Sequence, residues 1–220
     1  MTEKRAKTLP NSIKATIIED IMTGEIQPRD KILEEKYAKK MGASRASVRE
    51  AIFMLVSEGI ATKIENKGTF LNSFTYEEHI DLYHLRFFLE QQAIQKYPRI
   101  KDFSELIAEL TLLSAKMKDA MRNVAELSLY NYQFHYALVE HSGSRVLIER
   151  YPSFYVSLAF IQNELYHHHR SEIEKPVNEH DELIEALKVR DFDKLTKVLL
   201  THQKDVLALL QRTVMQRLGA

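Results

Sequence analysis

Asn131 and His135 lie four residues apart, a spacing that on a helix places two side chains on one face a turn apart, as paired metal ligands require. His180 falls ten residues before a break at Arg190, and His202 twelve after it. In an antiparallel helical hairpin, rising about 1.5 Å per residue, those two imidazoles reach nearly the same height. Three neutral imidazoles and one amide oxygen, with positions left open, suit a divalent transition metal such as zinc, nickel or manganese. The alternative is a polar core in which the histidines bond one another, Asn131 or a ligand directly. His167, His168 and His169 are consecutive, so on a helix they point in different directions and read as a solvated helix end. His84 and His141 have no partner at useful spacing.

A second chemistry sits nearer the start. Between Lys36 and Arg49 there are five basic residues and no acidic one, which concentrates positive potential on a short stretch. Arg45 and Arg49 share a helical face, and each guanidinium can grip guanine bidentately or pair with a phosphate, while Ser44 and Ser47 can donate to a backbone phosphate. An ordinary charged helix face is the bland reading of the same residues.

These groups need elements to carry them. Ile13, Ile17, Ile18 and Ile21 predict a first helix with Gly24 beyond it, after a polar tail to about Asn11. Glu34 to Met41, closed by Gly42, predicts a second helix, and Ser44 can cap a third whose inner face is Val48, Ala51, Ile52 and Leu55. Ile60 to Ile64, then Glu65-Asn66-Lys67-Gly68, then Thr69-Phe70-Leu71 predicts a β-hairpin with a basic tip at Lys67 and Gly68. Residues 1–75 are therefore expected to form a winged helix-turn-helix with a small hairpin wing. From Tyr76 onward only helical periodicity is found, interrupted at Pro98, around Asn123, at Ser142-Gly143-Ser144, at Pro152, near Pro176 and at Arg190-Asp191. Residues 76–220 are expected to be an all-helical bundle of six or seven helices, so the fold class is mostly α.

Composition removes other classes. The 220 residues are 45% hydrophobic and 28% charged, with 6 Gly and 5 Pro, as in a folded domain or two. With no Cys there is no disulfide framework, thiolate-held metal or thiol nucleophile. No apolar run approaches a membrane span, and the charged start Met1 to Lys7 predicts no secretory signal, so a cytoplasmic protein is expected. The zero net charge hides a small asymmetry, +3 for residues 1–75 and −3 for the remainder.

Gly42-Ala43-Ser44-Arg45-Ala46-Ser47-Val48-Arg49-Glu50-Ala51-Ile52, with Glu58-Gly59-Ile60 behind it and Lys67-Gly68-Thr69-Phe70 in the wing, resembles the GntR family of bacterial transcription regulators. Leu85-Arg86-Phe87-Phe88-Leu89-Glu90, Asn131-Tyr132-Gln133-Phe134-His135, His180 and His202 resemble the FCD-type ligand-binding domain of its FadR subfamily. The resemblance implies a homodimeric regulator, most often a repressor, that binds an inverted-repeat operator and responds to a small-molecule effector. It implies that the wing residue Lys67 reaches a phosphate or the minor groove. It also implies that small carboxylic or sugar acids are the effector class where the metal ligands are present. The subfamily's usual first ligand is Asp, so Asn131 removes one negative charge and should weaken an ion's hold. Arg86 could pair with an effector carboxylate or simply with Glu90 at i+4, and Tyr83, Tyr132 and Asn163 are further candidates to line the pocket.

Two other functions are compatible with parts of this pattern. A metal-dependent hydrolase or lyase would use Asn131, His135, His180 and His202 as a catalytic centre, but no acidic residue stands at a motif position beside them to move a proton. A constitutive DNA-binding dimer would show no effector response.

Overall fold

The computed structural model describes residues 8–218, with side chains other than those at 155, 156, 160, 164, 167, 168 and beyond 212. The chain forms two units that meet in sequence at Phe74 and Thr75.

In the first, α1 (Leu9–Met22), α2 (Glu34–Met41) and α3 (Arg45–Ser57) bury Ile13, Ile17, Tyr37, Val48, Ala51 and Leu55 against one another. Helix α1 starts earlier than periodicity predicts because Pro10 stands in its first turn, where a missing N–H costs nothing. Gly42 ends α2 at φ 59°, a left-handed conformation that frees the chain to turn at once into α3. Ser44 caps α3, its Oγ accepting from the Ser47 amide at 3.1 Å. Strands β1 (Ala61–Ile64) and β2 (Gly68–Leu71) pair antiparallel with Ile64 opposite Gly68. The segment before α2 lies along β2 as a third, short edge: Lys31 bridges Phe70, and the Ile32 amide donates to the Thr69 carbonyl at 2.9 Å.

The second unit is helical throughout its described residues. It comprises α4 (Tyr76–Ile94), α5 (Ser104–Asp119), α6 (Val124–Glu140), the short α7 (Arg145–Arg150), α8 (Tyr155–His168), α9 (Glu174–Lys188) and α10 (Phe192–Leu218). Thr75 and Glu78 cap α4 reciprocally, which starts the helix at Tyr76. Two of the predicted interruptions are single 3₁₀ turns, Tyr97–Arg99 and Tyr151–Phe154. The interruption expected near Pro176 falls just before Glu174, and Pro176 itself sits in the first turn of α9. Arg190, at φ 56°, closes the α9–α10 hairpin, and its guanidinium donates to the carbonyls of Ile100 and Lys101 at 2.8 and 3.1 Å. The core runs along α4, α5, α6, α9 and α10, with Phe87, Leu110, Phe134, Leu138, Leu183 and Leu199 all buried.

Candidate metal centre and nucleic-acid interface

Helix α6 carries Asn131 and His135, α9 carries His180 and α10 carries His202, and all four side chains are buried. The ring centroids of His180 and His202 lie 4.8 Å apart, and His135 is 5.1 Å from His180 and 5.4 Å from His202. One nitrogen from each imidazole falls within 4.8 Å of the other two.

The outer nitrogen of every ring is already committed. His135 Nδ1 lies 3.1 Å from Glu90 Oε2, His202 Nδ1 lies 2.9 Å from Glu179 Oε2, and His180 Nδ1 lies 3.1 Å from the Val177 carbonyl. Burial alone would raise the Glu90 carboxyl, but Arg86 and His135 beside it, with hydrogen bonds from His135 and Tyr151, hold it down at about 2. An ionised carboxylate only accepts, so His135 must donate from Nδ1. Burial lowers His135 to about 4 and His180 well below the usual histidine range. Both rings are therefore neutral at pH 7, protonated on Nδ1, with a lone pair on Nε2. Those two lone pairs face each other at 3.2 Å. That separation matches the edge of a tetrahedron of nitrogens about 2.0–2.1 Å from a central zinc, roughly 3.3 Å, and it is equally the length of a hydrogen bond if one ring carries its proton on Nε2. The donor set and its outer partners thus fit a divalent ion.

Asn131, His180 and His202 share a small cavity of about 20 Å³ with Tyr83, Leu127, Gln162, Leu165, Ile173, Pro176, Val177 and Val206. It holds about one water. No hydrogen bond occupies the Asn131 amide among the described residues, which leaves its oxygen available to the cavity.

Of the other pocket candidates, Tyr83 lines the cavity. Arg86 does not: its Nε lies 3.0 Å from Glu90 Oε1, and its guanidinium stacks over the Tyr83 ring at 4.6 Å. Its buried Nε and Nη2 have no hydrogen-bond partner of good geometry. Tyr132 stacks on Tyr136 and tilts against Tyr151, outside that cavity. Asn163 is exposed, and its neighbour Gln162 turns inward instead. His169 is buried and meets Glu172 at 3.1 Å, in place of the expected solvated end; the side chains of His167 and His168 lie outside the described residues. His84 has a partner, Gln203, whose amide lies 3.3 Å from its Nδ1. Sequence reasoning gave Glu90 only as a partner of Arg86, not of His135, and missed Glu179 and Tyr151, whose hydroxyl donates to Glu90 at 2.6 Å.

In the first unit, Arg45 and Arg49 are exposed on α3, each near an acid of α2: Arg45 is 3.6 Å from Glu35 and Arg49 is 3.5 Å from Glu34. Such exposed pairs are weak and yield to a phosphate. The basic residues of α2 divide. Lys36 and Lys40 clamp the buried Asp20 at 3.2 and 2.7 Å, with Tyr37 donating to the same carboxylate at 2.7 Å, whereas Lys39 points to solvent. Lys67 and Gly68 stand at the hairpin tip, with Lys67 exposed.

A winged helix that offers arginines from its third helix, followed by a helical unit with a buried histidine cluster, defines a DNA-binding protein with an appended helical domain. The family profile for bacterial regulatory proteins of the gntR family matches residues 9–71, and the FCD domain profile matches residues 81–205. The chain belongs to the GntR family of bacterial transcription regulators, with an FCD domain at its C-terminal side. It is similar to the HTH-type regulator YdhC of Bacillus subtilis, 29% identical over 133 residues, and the match spans 58% of each chain, so under two thirds of YdhC's own length. It is also similar to the gluconate operon transcriptional repressor of Bacillus licheniformis, 25% identical over 198 residues, 84% of this chain and 78% of that protein. The structure of E. coli McbR/YncC superposes with a TM-score of 0.79 at 20% identity, over 94% of this chain and 99% of that one, which establishes the shared fold.

Proposed function

We propose that this chain is a cytoplasmic repressor that binds an inverted-repeat operator as a homodimer, and that a small organic acid bound beside a divalent ion changes its operator affinity. The observation that carries the reading is the opposed Nε2 atoms of His135 and His180, 3.2 Å apart with both Nδ1 atoms engaged elsewhere. His135, His180, His202 and the Asn131 oxygen would hold the ion, leaving a position for a carboxylate oxygen. Zinc, nickel and manganese all suit nitrogen-rich sites with an oxygen ligand. When bound, the ion supplies a fixed positive charge for the effector. Among relatives, a repressor named for a sugar-acid operon supports a carboxylic or sugar acid as that effector.

The residues of the chain do the rest. Glu90 and Glu179 fix the tautomers of His135 and His202, Arg86 and Tyr151 keep Glu90 ionised, and Tyr83 walls the cavity. An effector changes DNA affinity only by the free energy with which it prefers one arrangement of the dimer, and about 1–3 kcal/mol gives a 5- to 150-fold response. Room for a single water means that any acid beyond a few atoms must displace Leu165, Ile173 or Pro176 as it binds.

Metal analysis of tag-free protein purified without chelator tests the reading, with His180→Ala as the control. One ion per chain, lost in the variant, is expected, together with a shift in duplex affinity when gluconate or a shorter acid is added. Absence of any ion, and no stabilisation by zinc, nickel or manganese, overturns the metal. Operator affinity that no acid changes would favour a constitutive dimer.

A further inference from the structure

Besides Lys63 and Lys67, the wing has a third basic residue that its own sequence does not contain. Lys31 precedes α2, yet it bridges Phe70 of β2 and so lies on the outer edge of the hairpin. Alternation along the strands puts Lys31, Phe70, Thr62, Gly68 and Ile64 on one face, while Ile32, Leu71 and Ala61 are buried on the other. On its face Lys31 reaches diagonally, two residues along β2, toward the tip. Gly68 is what lets it pass. A Cβ there would stand 2.6 Å from Lys31 Cε and 3.2 Å from Nζ, and Gly68 itself holds φ 109°, which disfavours any other residue.

The charge at the end of that stem is not neutralised. Lys14 pairs with Glu58, and Lys36 and Lys40 pair with Asp20 and Glu25. Among the described residues Lys31, Lys63 and Lys67 have no ion pair, and Glu65 is the one acid between Ala61 and Leu71. An exposed ammonium with no ion pair beside the hairpin tip is free to meet an anion from outside the chain.

We propose that Lys31 is a phosphate-contacting residue of the wing, carried over Gly68 to act with Lys67 on one strand of the DNA backbone. The proposal rests on the regulator reading above and adds a contact that the recognition helix and hairpin motifs do not include. Because the contact is to phosphate, it should be blind to sequence.

A 30-base-pair mixed-sequence duplex suffices as the probe, with binding followed across a salt series for the full-length protein. Lys31→Gln is expected to weaken binding equally on unrelated duplexes and to lower the slope of log affinity against log salt by about 0.9, one phosphate's worth. Lys31→Arg should restore the slope. Gly68→Ala, which evicts the stem, should reproduce the loss, and Lys31→Gln should then add little to it. A slope for Lys31→Gln equal to that of the parent, or a loss no larger than that of the remote Lys101→Gln, overturns the proposal. If the parent binds no duplex at all, it is the regulator reading that falls, and this proposal with it.

Discussion

Glu90 accepts from His135 Nδ1 at 3.1 Å through one oxygen and from Tyr151 at 2.6 Å through the other, while Arg86 lies 3.0 Å away. A carboxylate that fixes a ligand histidine is typically worth 10- to 100-fold in metal affinity. If His135 holds the proposed ion, Glu90→Gln should therefore weaken zinc binding by about that factor in a chelator-dye competition. It should also destabilise the fold by roughly 3–5 kcal/mol, because the buried Arg86 loses its counter-charge. Equal zinc affinity in parent and variant would refute the assigned role.

Asn131→Asp adds a negative charge at the first position of the proposed ligand set. Zinc affinity should rise by at least about tenfold, or about 1.4 kcal/mol, by the same competition. Affinity that stays level would place the Asn131 side chain outside the coordination sphere.

His79 is buried on α4, 2.8 Å from Ser157, and burial lowers its pKa to about 4 against an ordinary 6.5, with Glu78 opposing. The unfolded chain therefore binds the proton first. The contribution of neutral His79 is fully present above pH 6.5 and is lost as pH falls toward 4. Urea titrations in chelator at pH 7 and pH 5 should show a larger loss of stability for the parent than for His79→Asn. Identical losses would mean that His79 titrates normally.

Arg49→Ala should cost about 1–3 kcal/mol on the operator if the guanidinium reads a base, and should relax discrimination between operator and mixed duplex. Glu35→Gln frees Arg45 from an exposed pair and should strengthen binding by less than about fivefold. A larger gain would make that pair a real competitor of the DNA.

Where local rules govern, the sequence was a good guide. Gly42 and Ser44 mark the boundaries of α2 and α3 because a left-handed stop and a cap act on their immediate neighbours. His180 and His202 were legible as partners because two straight helices and one turn fix their heights. Glu90 was not legible as a partner of His135, 45 residues away, since periodicity tells which face is buried and not what it is buried against. The same holds for Glu179, which sits beside His180 in sequence yet serves His202 on the next helix. Lys31 was hidden for a related reason: its position depends on the missing Cβ of a residue 37 places further on.

The turn at Val189 to Asp191 also sets a tolerance. Arg190 pins that turn to the carbonyls of Ile100 and Lys101, so the α9–α10 hairpin cannot slide against the start of α5. One residue added there would advance His202 by about 1.5 Å and swing it by about 100° around its helix. No imidazole would have changed, yet the three would no longer converge. The hairpin works as a gauge block, and the spacing of two helices is the dimension it holds.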